Sequence, residues 1–146
     1  FPLVRRSAPA RAEVREAGVY PVFPAEATVL VVEDEPDILS IVKMVLANEG
    51  FTVLAAASAE EALETARQHP NEITLTITDV LLPGMNGVQM SRELRQLNPL
   101  MKFLFISGYS ADALGSYGNL SEEVNFISKP FSIIRFLTMV HTVLKP

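Results

Sequence analysis

Five short runs of β-branched and other apolar residues recur along this chain, each followed by a stretch with helical spacing. That alternation leaves few folds open. A strand, a helix and then another strand imply right-handed crossovers and a parallel sheet covered on both faces. The first run, Thr28–Val32 (TVLVV), has no polar alternation, so both of its faces are expected to be buried. The other runs fall at 51–56, 73–80, 101–106 and 124–127. The expected fold class is α/β, a doubly wound (βα)5 sandwich.

The helical stretches carry start and stop signals. Pro36 suits a first helical turn, and Asp37 is favourable at the positive end of the helix dipole. Ile38, Ile41/Val42 and Val45/Leu46 then repeat at helical spacing, and Gly50 is expected to end the helix in a left-handed conformation. Ser58 with Glu61 three residues on forms a capping box for a second helix, whose inner face is Ala59, Ala62, Leu63 and Ala66. A third helix is expected over 87–97, with Val88, Leu94 and Leu97 inward. Gly115 and Gly118 would each cost ~1 kcal/mol in a helix, so one short or frayed helix is expected over 111–120. Ser132 caps a last helix carrying Ile133, Phe136/Leu137, Val140 and Val143/Leu144.

A chain of 146 residues, 49% hydrophobic, accommodates one domain with a proper core. A net charge of −5 argues against nucleic-acid binding by this segment. With no cysteine there is neither a disulfide nor a thiolate metal site, which fits a reducing, cytoplasmic setting. No apolar run approaches the ~20 residues that span a bilayer, so no membrane contact is expected of this segment. Residues 1–26 hold four of the ten prolines and read as an extended linker. The rival reading packs Val19, Tyr20, Val22 and Phe23 against the domain at 27–146 or against a neighbour. A start at Phe1 rather than Met reads as a fragment of something longer.

The chemistry gathers at the strand ends. The third run ends on Asp79, followed by two turn signals, Pro83-Gly84 and Asn86-Gly87. In open parallel sheets, ligands collect at the carboxyl ends of strands. The first run ends in Glu33 and Asp34, the fourth in Ser107, the fifth in Lys129. If those strands are neighbours, the side chains converge. Three carboxylates so close repel one another unless a cation neutralises them. All are hard oxygen ligands, which favours Mg²⁺. A hydroxyl and an ammonium complete a site suited to a tetrahedral oxyanion on Asp79, as in phosphoryl transfer.

These stretches, VLVVEDEP (29–36), TDVLLPGMNG (78–87), FISGYS (105–110) and FISKPF (126–131), resemble the receiver domain of two-component response regulators over about 27–146. The resemblance implies a flavodoxin-like sheet of order 2-1-3-4-5 and a histidine-to-aspartate phosphorelay with self-catalysed phosphoryl transfer. It implies Asp79 as phosphoacceptor, and Glu33, Asp34 and Asp79 as Mg²⁺ ligands. Ser107 becomes the hydroxyl that turns toward the phosphoryl group, Lys129 its salt-bridge partner, and Phe126 the aromatic switch. The Lys129-Pro130 bond is expected to be cis. Phosphorylation would switch the face made by the helix over 111–120, the fifth strand and the last helix. The implied partner is a histidine kinase or phosphotransfer domain, with a homodimer left open. The linker and the SGY signature look more like the C-terminal receiver of a hybrid sensor histidine kinase than a free-standing regulator. Leu81 and Tyr109, two residues after the acceptor and two after the hydroxyl, are expected to flank the path of hydrolytic water. Two rival readings are a degenerate receiver acting as a dimerisation module and an Asp-nucleophile phosphatase. The latter places Asp-x-Asp after its first strand, a spacing that Glu33-Asp34-Glu35 lacks.

Overall fold

The run at Thr28–Val32 forms β1 and is buried along four of its five residues, as an uninterrupted apolar strand should be. The computed structural model describes residues 27–108 and 125–145. The elements in order are β1, α1 (Pro36–Asn48), β2 (Thr52–Ala56), α2 (Ala59–Gln68), β3 (Leu75–Asp79), α3 (Gly87–Leu97), β4 (Lys102–Ser107), β5 (Phe126–Ser128) and α4 (Ile133–Leu144). The five strands form one sheet in the order β2-β1-β3-β4-β5, with all four pairings parallel. The linker at 1–26, Tyr109 and the helix expected over 111–120 lie outside the described residues.

Side chains alternate across each strand, so the sheet carries two cores. Leu30, Val32, Phe103 and Phe105 pack with Ala59, Ala62, Leu63 and Ala66 of α2 and Val88, Met90 and Leu94 of α3. Val29, Val31, Leu75, Ile77, Leu104 and Ile106 pack with Val42 and Leu46 of α1 and Phe136, Val140 and Val143 of α4. Among the described residues no helix is long and apolar enough to cross a membrane.

One inward assignment is corrected: Leu97 is 42% exposed. Two apolar residues of the helical repeats, Ile41 and Ile133, are also exposed, at 51% and 55%. In α1 the buried stripe is Val42 and Leu46, one i,i+4 pair, and Ile41 stands about a third of a turn away from it. Leu97 and Ile133 are the last and first residues of their helices, where periodicity says least about what covers a side chain. Beyond Leu97 the buried position is taken by Asn98, whose amide donates to the Ile73 carbonyl at 3.0 Å.

The helix ends follow the capping chemistry with one variation. Gly50 has φ +97°, the left-handed stop expected of it. Ser58 accepts the Glu61 amide at 3.1 Å, but the Glu61 carboxylate takes the amide of Ala57 rather than that of Ser58. The reciprocal capping box opens α3 instead. There Asn86 accepts from the Gln89 amide at 2.8 Å, and Gln89 accepts from the Asn86 amide at 3.3 Å. In the sequence Asn86 read only as a turn residue. This cap places the N-terminus of α3 directly behind Asp79.

Candidate functional site

The strand order puts the carboxyl ends of β1, β3 and β4 side by side, with β5 next to β4. The candidate residues leave the sheet there. Glu33 follows β1 and is held by its amide on the Ala56 carbonyl at 3.1 Å. Its carboxylate is buried and accepts the Glu35 amide at 3.2 Å. Asp79, the last residue of β3, is 9% exposed, and its Oδ1 accepts the Leu81 amide at 3.0 Å. Ser107 ends β4, fully buried. Its carbonyl accepts the Lys129 amide at 2.7 Å, which ties the segment after β5 to the same corner.

Lys129 reaches back across the sheet end. Its Nζ donates to Asp79 Oδ2 at 2.8 Å and to Glu33 Oε1 at 3.4 Å, and it pairs with Glu35 Oε1 at 3.6 Å. The peptide bond Lys129-Pro130 is cis. Glu33, Asp34 and Asp79 each offer an oxygen within 4.8 Å of one another, with Asp34 exposed and the other two buried. Phe126 is half-buried and packs against the α2–α3 core.

The electrostatics follow from this crowding. Burial raises the Glu33 carboxyl above its ordinary value, and the Asp79 charge pushes the same way; the Glu35 amide and the Lys129 ammonium offset part of this. For Lys129 burial acts downward, yet the hydrogen bond and charge of Asp79, followed by Glu33, hold the ammonium above its usual value. The lysine therefore stays charged at neutral pH. Even so, one ammonium faces more carboxylates than it can neutralise. A group of hard oxygen donors with uncompensated negative charge, no thiolate and no imidazole fits Mg²⁺.

The residues singled out in the sequence, Glu33, Asp34, Asp79, Ser107 and Lys129, thus meet at one end of the sheet, with Phe126 on the adjoining strand. Three participants were not singled out. Glu35 had read as a charge at a helix start, although it directly follows the acidic pair. Thr78 had read as one more β-branched strand residue; its buried hydroxyl donates to the Asp79 carbonyl at 2.9 Å. Gly87 had read as a turn residue. A Cβ on Gly87 would overlap that same Asp79 carbonyl oxygen, so only glycine fits there.

Comparison with known proteins agrees with this architecture. The family model of the response regulator receiver domain matches residues 29–141. The chain is 39% identical over 119 residues to the sensor kinase CckA of Brucella abortus, a match covering 82% of this chain and 13% of that protein. It is 33% identical over 119 residues to the probable transcriptional regulatory protein TcrX of Mycobacterium tuberculosis, covering 81% of this chain and 50% of that one. Among solved structures, the receiver domain from hybrid histidine kinase CckA superposes with a TM-score of 0.70 at 32% identity, covering 82% of this chain and all (100%) of that one. A response regulator receiver protein from Sinorhizobium medicae superposes with a TM-score of 0.72 at 28% identity, covering 82% and 94%. With its sheet order, its acidic strand ends and a family match over most of its length, the chain belongs to the response regulator receiver domain family.

Proposed function

We propose that this domain takes a phosphoryl group onto Asp79 from a phosphohistidine of a histidine kinase or phosphotransfer domain. The observation that carries the reading is the Lys129 ammonium, 2.8 Å from Asp79 Oδ2, beside three carboxylates grouped within 4.8 Å. An Asp79 carboxylate oxygen attacks phosphorus, the P–N bond to the donor imidazole breaks, and the ring nitrogen keeps the electron pair. Lys129 moves from carboxylate partner to partner of the phosphoryl oxygens, and the Ser107 hydroxyl donates to one of them. Glu33, Asp34 and Asp79 would hold Mg²⁺, which would supply positive charge to offset the negative charge of the phosphoryl oxygens. The pull on Ser107 and Lys129 reaches Phe126 through β4 and β5, which pair Ser107 with Ser128 and Phe105 with Phe126. The likeness to the CckA receiver supports a place within a hybrid sensor kinase. Incubation with acetyl phosphate and Mg²⁺ tests the reading. One retained phosphoryl group per chain supports it. Continuous release of phosphate would favour a phosphatase, and no labelling a degenerate receiver.

The phosphorylated form is expected to be long-lived. Leu81 packs its side chain against the apolar core and offers no hydrogen bond to an attacking water. Leu81→Asn is expected to accelerate loss of the phosphoryl group about tenfold, equivalent to ~1.4 kcal/mol, within the range of one positioned hydrogen bond. The decay rate of the purified phosphorylated variant against wild type measures it. Equal rates would remove Leu81 from control of the lifetime.

A further inference from the structure

We infer that Thr78 is a positioning residue for the phosphoacceptor, its hydroxyl and the Cα of Gly87 together clamping the backbone carbonyl of Asp79. The inference rests on the reading of Asp79 as phosphoacceptor.

The Asp79 side chain is held at both oxygens, by the Leu81 amide and by Lys129. Those contacts orient the carboxylate only if the backbone beneath it is fixed. Asp79 is where β3 ends, and its register partner Ile106 is the last one that β4 offers β3. Past this point the chain turns into a loop and returns at Gly87, whose amide donates to the Val80 carbonyl at 2.8 Å. The peptide leaving Asp79 therefore sits between the end of the ladder and the start of α3.

Two contacts hold its carbonyl oxygen. The Thr78 hydroxyl donates to it at 2.9 Å. Gly87 approaches from the other element, so closely that a Cβ there would also stand 3.2 Å from Thr78 Oγ1. Thr78 is fully buried, flanked in register by Val32 and Phe105. Valine would fill such a strand position without a polar group to satisfy. The hydroxyl is satisfied by the carbonyl of the reacting residue. Loss of that bond leaves the Asp79–Val80 peptide anchored by the Val80 amide on the Ile106 carbonyl at 3.0 Å. The carbonyl end then tilts about that anchor, and a tilt there swings the carboxylate away from Lys129. Catalytic groups work within about 0.5 Å of their productive place. Misplacement by 1 Å can cost ~100-fold, so a partial tilt is expected to cost about tenfold.

The test compares Thr78→Ser, Thr78→Ala and Thr78→Val. Serine and alanine both lack the methyl and differ only in the hydroxyl, while valine keeps the shape. Two quantities are read: the rate of Asp79 labelling against acetyl phosphate concentration with Mg²⁺, and the backbone amide resonances of Leu81 and Gly87 without donor or metal. Thermal unfolding sets any stability loss apart. The expected result is serine within about twofold of wild type, and alanine and valine about tenfold lower in maximal rate at an unchanged half-saturating donor concentration. The Leu81 and Gly87 amides should shift in alanine and valine and stay in place in serine. Equal labelling of serine and alanine, or unmoved amides in alanine, would overturn the clamp. A wild type that never labels would instead remove the phosphoacceptor reading, and the amide shifts would still decide whether the hydroxyl holds this peptide.

Discussion

Asp79→Asn is expected to abolish covalent phosphorylation while leaving the fold intact. An amide is neither an anion nor a competent nucleophile toward phosphorus. The change is close to isosteric at a residue 9% exposed, so packing at the end of β3 is preserved. Lys129 loses its nearest charged partner, now at 2.8 Å, but keeps Glu33 and Glu35. Glu33 loses the neighbouring charge that pushes its own carboxyl upward. Those electrostatic changes act in opposite directions, so the thermal midpoint is expected to move little. Labelling with acetyl phosphate and Mg²⁺, read beside a thermal scan, checks both halves. Wild-type labelling in the variant would place the acceptor elsewhere.

Gly87→Ala is expected to damage stability and phosphorylation together. The added methyl meets the backbone carbonyl oxygen and carbon of Asp79 and the Thr78 hydroxyl. Two of those three atoms are backbone at a strand end, so no flexible side chain can swing aside. Overpacking of this kind costs ~1–3 kcal/mol, several degrees in Tm for a domain of this size. Relief would come from backing α3 away from β3, which strains the Asn86–Gln89 capping box and drags the peptide after Asp79. Gly108 supplies the control. Among the described residues a Cβ there has nothing within 4 Å, so Gly108→Ala is expected to leave Tm unchanged. A Gly87→Ala protein that melts and labels like wild type would show that the contact yields without consequence.

The parts of the fold legible in the sequence are those where one physical rule dominates. An uninterrupted β-branched run such as Thr28–Val32 reads as a strand covered on both sides, and Leu75–Asp79, its neighbour in the sheet, is buried throughout. The span of α3 was readable because Gly87 and Leu97 are bounded by turn and cap residues on either side. Sheet order was different. Apolar runs do not say which strands are neighbours, and the order came from the likeness of the four motif stretches to receiver domains. Side-chain facing was legible in part. Ala59, Ala62, Leu63 and Ala66 all face the core as expected, while Leu97, at the end of its helix, does not.

The same division holds at the site. Glu33, Asp34, Asp79, Ser107 and Lys129 were readable because charged or polar residues stand out at the ends of apolar strands. Thr78 was hidden because threonine is an ordinary strand residue, and only coordinates show that its hydroxyl turns to the next carbonyl. Gly87 was hidden because a glycine after asparagine already has a sufficient local explanation as a turn. Its tertiary reason, the approach of one backbone to another, depends on where α3 docks.

The central claim is that Asp79 is the atom-level acceptor, and mapping the phosphoryl group tests it most directly. The wild-type domain is incubated with acetyl phosphate and Mg²⁺, treated with borohydride, digested and sequenced by mass spectrometry. An acyl phosphate is reduced by borohydride to an alcohol, so the acceptor is recorded as a homoserine. The account predicts one homoserine per chain, at position 79, absent from a sample without donor. Homoserine at position 34, the longer alcohol hydroxynorvaline at position 33, phosphate retained on Ser107, or no modification at all would contradict it.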